Sequence, residues 1–432
     1  MADRNSHFSL NATAKGSFGG PRLRTHGGRD CRVEKVPLGS RKLAIDWVPG
    51  QARRATGISI PDRFALETAQ RSPMFLTLVG VVFLSMWLIS THAAAENEIV
   101  RSVPENLSVQ WEFQADEAIE AAPVVAEKLI FVADVMGKLY AVDRSNGKLV
   151  WNHDFDTGFI AAPAVQENRL VIGDVEGNVY AIEADSGTIV WQKQTDGEIN
   201  GSAAFYKSTV LVTSQDGSLY SFESDDGTLK WTYQTDDQIR CSPTIAGTRT
   251  FLGGCDGRLH VVDLETGKGI GEPMPLGGPT GSTVAVAGNL AVLPIMDGAV
   301  LSFDWKTAKQ IWRYVDEERS QEYRSSAAIQ ANTVVVSSQK KQVDALSLKT
   351  GERLWRYSLQ RRADASPVIA GDDVWIAATD GRLIRLSLQE GKEIWKFEIR
   401  GSFVAAPVIE KTPSGSVQLY VADDNGILRC FE

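Results

Sequence analysis

Tryptophan returns about every 40 residues over the last three quarters of this 432-residue chain, each time four residues after a small turn residue. Gly147 leads to Trp151, Gly187 to Trp191, Gly227 to Trp231, Gly351 to Trp355 and Gly391 to Trp395. Ala308 stands for the glycine ahead of Trp312, and Gly267 leads to Gly271 where tryptophan is expected. A period of this length is the signature of one supersecondary unit stacked many times, since a single unit cannot bury its own apolar face. No other feature restricts the fold as strongly.

Each period reads as four short strands. After Trp151 come a small-residue segment, Ala161-Ala162-Pro163-Ala164-Val165, and an apolar run from Arg169 to Gly173. The turn Glu176-Gly177 leads into Asn178-Val179-Tyr180-Ala181-Ile182, and Ser186-Gly187 introduces the last strand, ending at Trp191. Alternation with period two, β-branched and aromatic residues, and acidic-Gly or Asn-Gly punctuation mark antiparallel hairpins. With no helical periodicity between them, four antiparallel strands per period predict a propeller blade rather than a helical solenoid.

Trp-equivalent positions fall at 111, 151, 191, 231, 271, 312, 355 and 395, which makes eight units. The stretch Leu107-Ser108-Val109-Gln110-Trp111 is a lone strand with no blade before it, and the last blade stops at Glu432 after its third strand. We therefore expect an all-β, eight-bladed β-propeller of four-stranded antiparallel blades, with 107–111 as the outer strand of the blade ending at Glu432. Closing the ring in this way removes sheet edges that would otherwise template aggregation. Seven blades is the alternative if the Gly271 repeat is degenerate.

The pattern Ala-x-Asp-x-x-x-Gly-x-x-x-Trp, as in Ala141, Asp143, Gly147 and Trp151, resembles the tryptophan-docking repeat of the pyrroloquinoline-quinone (PQQ)-type propellers, over 107–432. The layout, with few insertions, is most similar to the outer-membrane assembly factor BamB family, and that resemblance implies a protein-binding ring without a cofactor. Quinoprotein dehydrogenases with the same repeat carry adjacent cysteines and a calcium held by acidic and amide side chains. This chain has no adjacent cysteine pair. PQQ with calcium thus stands as the alternative cofactor reading, and an oxidoreductase or an extracellular ligand sensor as the alternative functions.

Ahead of the repeats, residues 1–73 hold 13 Lys/Arg against 6 Asp/Glu without sustained periodicity, and read as a disordered basic segment or a mis-assigned gene start. Residues 74–90 are almost wholly apolar and precede Ala93-Ala94-Ala95, so 74–95 reads as a signal peptide or a membrane anchor, with 96–106 a linker. Both readings export the ring to a periplasmic or extracellular space. The apolar stretch is not followed by the lipid-carrying cysteine typical of BamB, a departure that bears on the outer-membrane role. Beyond residue 95 there are 32 basic and 48 acidic residues, a net charge of −16. That balance argues against a nucleic-acid footprint, which needs a basic surface. Other envelope or extracellular proteins are the expected partners of a monomeric ring.

Catalytic and metal signatures are missing from the sequence: there is no His-x-x-x-His, Cys-x-x-Cys or Gly-x-Ser-x-Gly arrangement. Acidic-Gly pairs such as Asp216-Gly217, Asp256-Gly257 and Asp380-Gly381 recur in register and read as turn chemistry. Trp111, Trp151, Trp191, Trp231, Trp312, Trp355 and Trp395 read as inter-blade packing. Cys241 and Cys255 flank a hairpin near Gly247 and are placed for a disulfide, two buried thiols being the alternative. The position just before each small pair breaks the symmetry, reading Glu120, Ile160, Asn200, Arg240, Thr280, Arg324, Asp364 and Val404. One reading is a water-filled channel mouth with tolerated polar variety. The other is a funnel for a polar ligand or a partner's peptide, with Arg240 and Arg324 binding carboxylate or phosphate. Blade 6 adds a longer loop, Asp316 to Tyr323, and the turn Gln339-Lys340-Lys341-Gln342 on that face.

Overall fold

The computed structural model describes residues 106–412 and 415–432; the expectations for 1–73 and 74–95, and all but the end of the 96–106 linker, lie outside them. Eight four-stranded antiparallel sheets form an eight-bladed β-propeller. Blade 2 is representative, with strands Ala164–Gln166, Arg169–Gly173, Asn178–Glu183 and Ile189–Gln194 in order from the axis outward. Its two middle strands are buried on both faces, because each blade is covered by its neighbours on either side. That double burial explains the unbroken apolar run Leu170-Val171-Ile172. Only the outer strands show alternation between exposed and half-buried positions. The core lies between blades: Phe131, Ala133 and Leu139 of blade 1 pack on Phe159, Leu170 and Ile172 of blade 2.

Val109–Gln114 closes the ring as the outer strand of blade 8, beside Ile427–Phe431, Val417–Ala422 and Val408–Lys411. Its register pairs Trp111 with Cys430 and Phe113 with Leu428. The Ser108 N–H donates to the Glu432 carbonyl, and the Glu432 N–H donates back, both at 3.1 Å. Arg429 pairs with Glu112 across this junction at 2.8 Å. The closing strand is longer than 107–111 because pairing continues to Gln114.

The tryptophans clasp one blade to the next. Trp151 Nε1 donates to the Ala184 carbonyl at 2.9 Å, and Trp191, Trp231, Trp312 and Trp355 reach the equivalent carbonyls of Ser224, Leu264, Leu348 and Leu388. Trp111 does the same to Arg144 across the ring junction. The indole face rests on the turn glycine of the same neighbour: a Cβ on Gly187 would lie 2.8 Å from Trp151. Gly187 also has φ of +75°, so the position excludes a side chain twice over. Trp395, whose neighbour carries the ring junction, packs instead against Trp375 and Phe431.

One interface departs from this rule, and both halves change together. Blade 4 has Gly271 in place of the tryptophan, and the facing turn of blade 5 carries Ala308, at φ of +53°, in place of glycine. With no indole to receive, the turn tolerates a Cβ. The outer strand of blade 4 shortens to Met274–Pro275. Trp305 fills the seam from blade 5, with its ring 5.3 Å from Phe251 and beneath the Arg249 guanidinium.

The small pairs are not part of the inner strands, which begin only after them: Ala161, Ala162 and Pro163 form a bend ahead of Ala164–Gln166. An innermost strand has one edge without a sheet partner, so its backbone donors need other acceptors. Hydroxyls of the next blade supply them. Ser202, Ser242, Thr283 and Ser326 N–H donate in turn to the Ser242, Thr283, Ser326 and Ser366 side chains, at 2.9–3.1 Å.

The Cys241–Cys255 disulfide is not formed. Cys241 is a free, buried thiol directed into the blade 3–4 core, where it donates to the Gly253 carbonyl at 3.2 Å. The hairpin pairs Thr244 with Phe251, which carried back sets Cys241 against residue 254, not 255. A one-residue offset sends the two side chains to opposite faces. Burial pushes the Cys241 thiol up to about 11, so little thiolate exists near neutral pH. Alkylation of native protein at pH about 8 should spare Cys241 and modify it after denaturation, as peptide mass mapping would show. Equal labelling before and after unfolding would contradict its burial.

Candidate functional site

Two sets of loops share one face of the ring. They are the connections from each outer strand to the next inner strand, and the turns between second and third strands. Backbone bonds lock them together, as where Val175 N–H donates to Gly158 O and Phe155 N–H to Gly137 O. The turns are braced from below. Tyr140, Tyr180 and Tyr220 donate to Asp134, Asp174 and Asp216 respectively. Burial, aided by the adjacent Asp216 carboxylate, pushes the Tyr220 phenol up to about 12, and burial raises Tyr140 and Tyr180 further, so all three stay protonated donors.

Blade 4 uses the same position differently. His260, in register with those tyrosines, places Nε2 at 2.7 Å from Asp256 and Nδ1 at 2.9 Å from the Tyr233 hydroxyl. A Tyr-His-Asp row has the composition of a proton relay, yet the His260 and Asp256 side chains are each only 3% exposed. Its register with the tyrosine braces assigns it to holding the turn.

The mouth of the axial channel carries the residues singled out in the sequence, with one correction. Thr280 does not belong to the set: it is buried, and its hydroxyl donates to the Pro294 carbonyl at 2.8 Å. Its N–H bonds Gly254 O as Ile239 N–H bonds Ser214 O, so the ring position of blade 5 is Gly281. The spacing lengthens by one residue beside the shortened outer strand, which a uniform period of 40 does not anticipate. Glu120 and Arg324 are exposed, while Asn200, Arg240 and Asp364 are half-buried.

Most of these side chains pair with the residue two positions earlier. Arg240 bonds Gln238, Arg324 Nε bonds Glu322 at 2.7 Å, and Arg362 Nε bonds Asp364 at 3.0 Å. Gln215 bridges Glu198 and Asn200. The polarity reverses between blades 6 and 7, so Arg324 and Arg362 border the same recess of about 360 Å³, together with Glu322, Gln339, Lys340 and Asp364. Gln339 Nε2 donates to Asp364 at 2.9 Å. Lys341, at φ of +68°, occupies the turn position that Gly137, Gly177, Gly217 and Gly381 hold in other blades. A side-chain-bearing residue in the left-handed region is strained, and such strain concentrates at functional surfaces.

The long blade 6 loop is pinned rather than loose. Asp316 accepts from Gln321 at 2.6 Å and from Arg356 at 2.7 Å, and Arg356 also bonds Asp344 through Nε at 2.6 Å. Burial by itself would raise the Asp316 carboxyl, but the donors Gln321, Arg356 and the Glu318 N–H outweigh it and hold the group below its ordinary value.

Charge is unevenly distributed over the face. Glu117, Glu120, Asp156, Glu176, Asp196 and Asp424 are exposed on the arc from blade 8 through blade 3. Arg319, Arg324, Lys340, Lys341, Arg361 and Arg362 are exposed on blades 6 and 7, where Glu317 and Glu318 of the long loop are exposed among them. Sequence reasoning found Arg324 and the lysine turn but not Arg362, whose part in the recess depends on the blade 6–7 apposition. Its signal was the two arginines, Arg361-Arg362, in register with Glu322.

The sequence profile described as outer membrane protein assembly factor BamB matches residues 95–204, 136–274 and 273–431, nearly the whole repeat region. The chain belongs to this BamB-type family. No curated protein matches it. Among solved structures, BamB from Moraxella catarrhalis is similar, with TM-score 0.65 and 19% identity over 76% of this chain and 98% of that one. A quinohemoprotein alcohol dehydrogenase from Pseudomonas putida HK5 has the same TM-score at 13% identity, covering 76% of each chain. A computationally designed protein, Ika8, reaches 0.63 at 16% identity over 74% of this chain and 98% of that one. At such identities these likenesses report the ring itself. No group of three or more His, Cys, Asp or Glu side chains placed for a metal ion occurs among the described residues. Mouth carboxylates such as Glu322 and Asp364 are engaged by their neighbouring arginines.

Proposed function

We propose that the chain is an exported, non-catalytic propeller that binds other proteins of the cell envelope or extracellular space through its loop face. The observation that carries this reading is the asymmetry of that face. Seven interfaces repeat one packing solution or a close variant, while among the described blades blade 6 alone combines a pinned long loop with a lysine turn. A rigid frame bearing a locally varied, well-anchored surface suits recognition rather than bond-making. Membership of the BamB-type family supports an envelope role.

Replacing Arg240 and Arg324 together with alanine should leave the melting temperature close to wild type, since neither side chain belongs to an inter-blade core. Capture of partners from envelope extract by the full chain should fall about tenfold, as expected for loss of two charged contacts. An unchanged partner set would defeat the reading. So would stoichiometric binding of PQQ with calcium coupled to dye reduction, which would move the chain to the oxidoreductase class.

A further inference from the structure

We infer that the recess between blades 6 and 7 receives an acidic peptide segment of the partner, a run of Asp or Glu side chains in extended backbone; this rests on the reading of the loop face as a protein-binding surface. Three cations border the recess, and two of them, Arg324 and Arg362, are oriented before any ligand arrives. Arg324 and Arg362 are each held by a carboxylate through Nε alone, and their terminal nitrogens bond no described residue. Two guanidinium forks are thus positioned but unspent, and the fork matches a carboxylate with two parallel hydrogen bonds. Lys340 adds a third, exposed positive charge on the turn between them.

The same wall carries groups suited to a peptide backbone. Glu322 and Asp364 retain acceptor capacity beyond their arginine bonds, and Gln339 offers an amide beside them. A compact, fully deprotonated inorganic anion offers no donor for such acceptors, whereas the N–H groups of a peptide backbone do. At about 360 Å³ and open to solvent, the recess exceeds what a single phosphate fills. The rest of the face sharpens the choice. An acidic segment is repelled by the arc containing Glu117, Glu120, Asp156 and Glu176 and attracted most where Arg324, Lys340, Lys341, Arg361 and Arg362 gather, which favours docking at blades 6 and 7.

The test uses the full chain and a short fluorescein-labelled, glutamate-rich peptide, read by anisotropy at low and raised salt. Wild type should bind it, more weakly as salt rises, and a lysine-rich peptide of equal length should not bind at the recess. Arg324→Glu with Lys340→Glu should weaken binding at least about tenfold. Lys340→Glu with Lys341→Glu, two exposed positions, should weaken it in the same direction should the first variant lose stability. Lys230→Glu on an outer strand should change nothing. Equal binding by wild type and both recess variants overturns the inference, as does no binding by wild type. Displacement of the peptide by stoichiometric inorganic phosphate also overturns it, in favour of a small-oxyanion site. Partner capture that falls in the Arg240 and Arg324 alanine variant while the recess variants bind peptide normally sinks the peptide assignment alone. Capture that persists in a recess variant with lost peptide binding sinks the protein-binding reading of the face alone.

Discussion

Replacing Arg356 with methionine is expected to destabilise the protein by about 3–5 kcal/mol, the cost of removing one member of a buried charge network. The size follows from what stays behind. Asp316 and Asp344 have side chains only 1% and 2% exposed, and Arg356 is the cation they share. Without it, two carboxylates remain desolvated and close together. The sign of the pH dependence is also determined. Asp316 titrates below its ordinary value, so its contribution is present above the unfolded-state value of about 4 and is lost as pH falls through the folded one. In the variant the unpaired carboxyls instead gain by protonation, and the gap from wild type should narrow on acidification. Denaturant melts of both proteins at neutral pH and near pH 4 measure this. A gap independent of pH would mean that the guanidinium contributes through packing alone. Because the same network anchors the long loop, the variant should also lose affinity for whatever docks on blades 6 and 7.

Truncating Trp191 to alanine should cost about 3–5 kcal/mol, in the range of large aromatic deletions from cores. The indole is buried between blades 2 and 3, donates to Ser224 O at 2.9 Å, and lies where a Cβ on Gly227 would stand, 2.8 Å away. Gly227→Ala should therefore destabilise wild type, through overpacking and through φ of +71°, by about 1–3 kcal/mol. In the Trp191→Ala background part of that penalty should vanish, because the added methyl meets empty space. The seam of Gly271 and Ala308 already displays this coupling. Additive effects in a double-mutant cycle would contradict the docking account. An unaltered melting temperature for Trp191→Ala would remove it altogether.

The site was less legible than the frame, for reasons that particular residues make plain. Reading Gly281-Ser282 as the small pair of blade 5 puts Thr280 at the mouth, but the spacing lengthens by one residue beside the shortened outer strand of blade 4, and Gly281 stands there. Cys241 and Cys255 sit close in sequence around a hairpin, yet a register one residue from direct opposition separates their side chains. Both errors concern an offset of a single residue. A periodic pattern tolerates such offsets, whereas side-chain direction in a strand reverses with each one.

What the amino-acid order determined alone was the ring: the recurrence of tryptophan and glycine, the strand alternation, and a spare strand at one end matching a missing strand at the other. These are local rules repeated many times, and repetition makes them robust to any single exception. What only the tertiary structure decided was which charges meet. Glu322 with Arg324, and Arg362 with Asp364, are local pairs two residues apart. Their joint recess, and the hold of Arg356 on a loop 40 residues away, exist because neighbouring blades are apposed at a particular stagger. Contacts between blades depend on angle and depth of packing, quantities to which hydrophobic periodicity is blind.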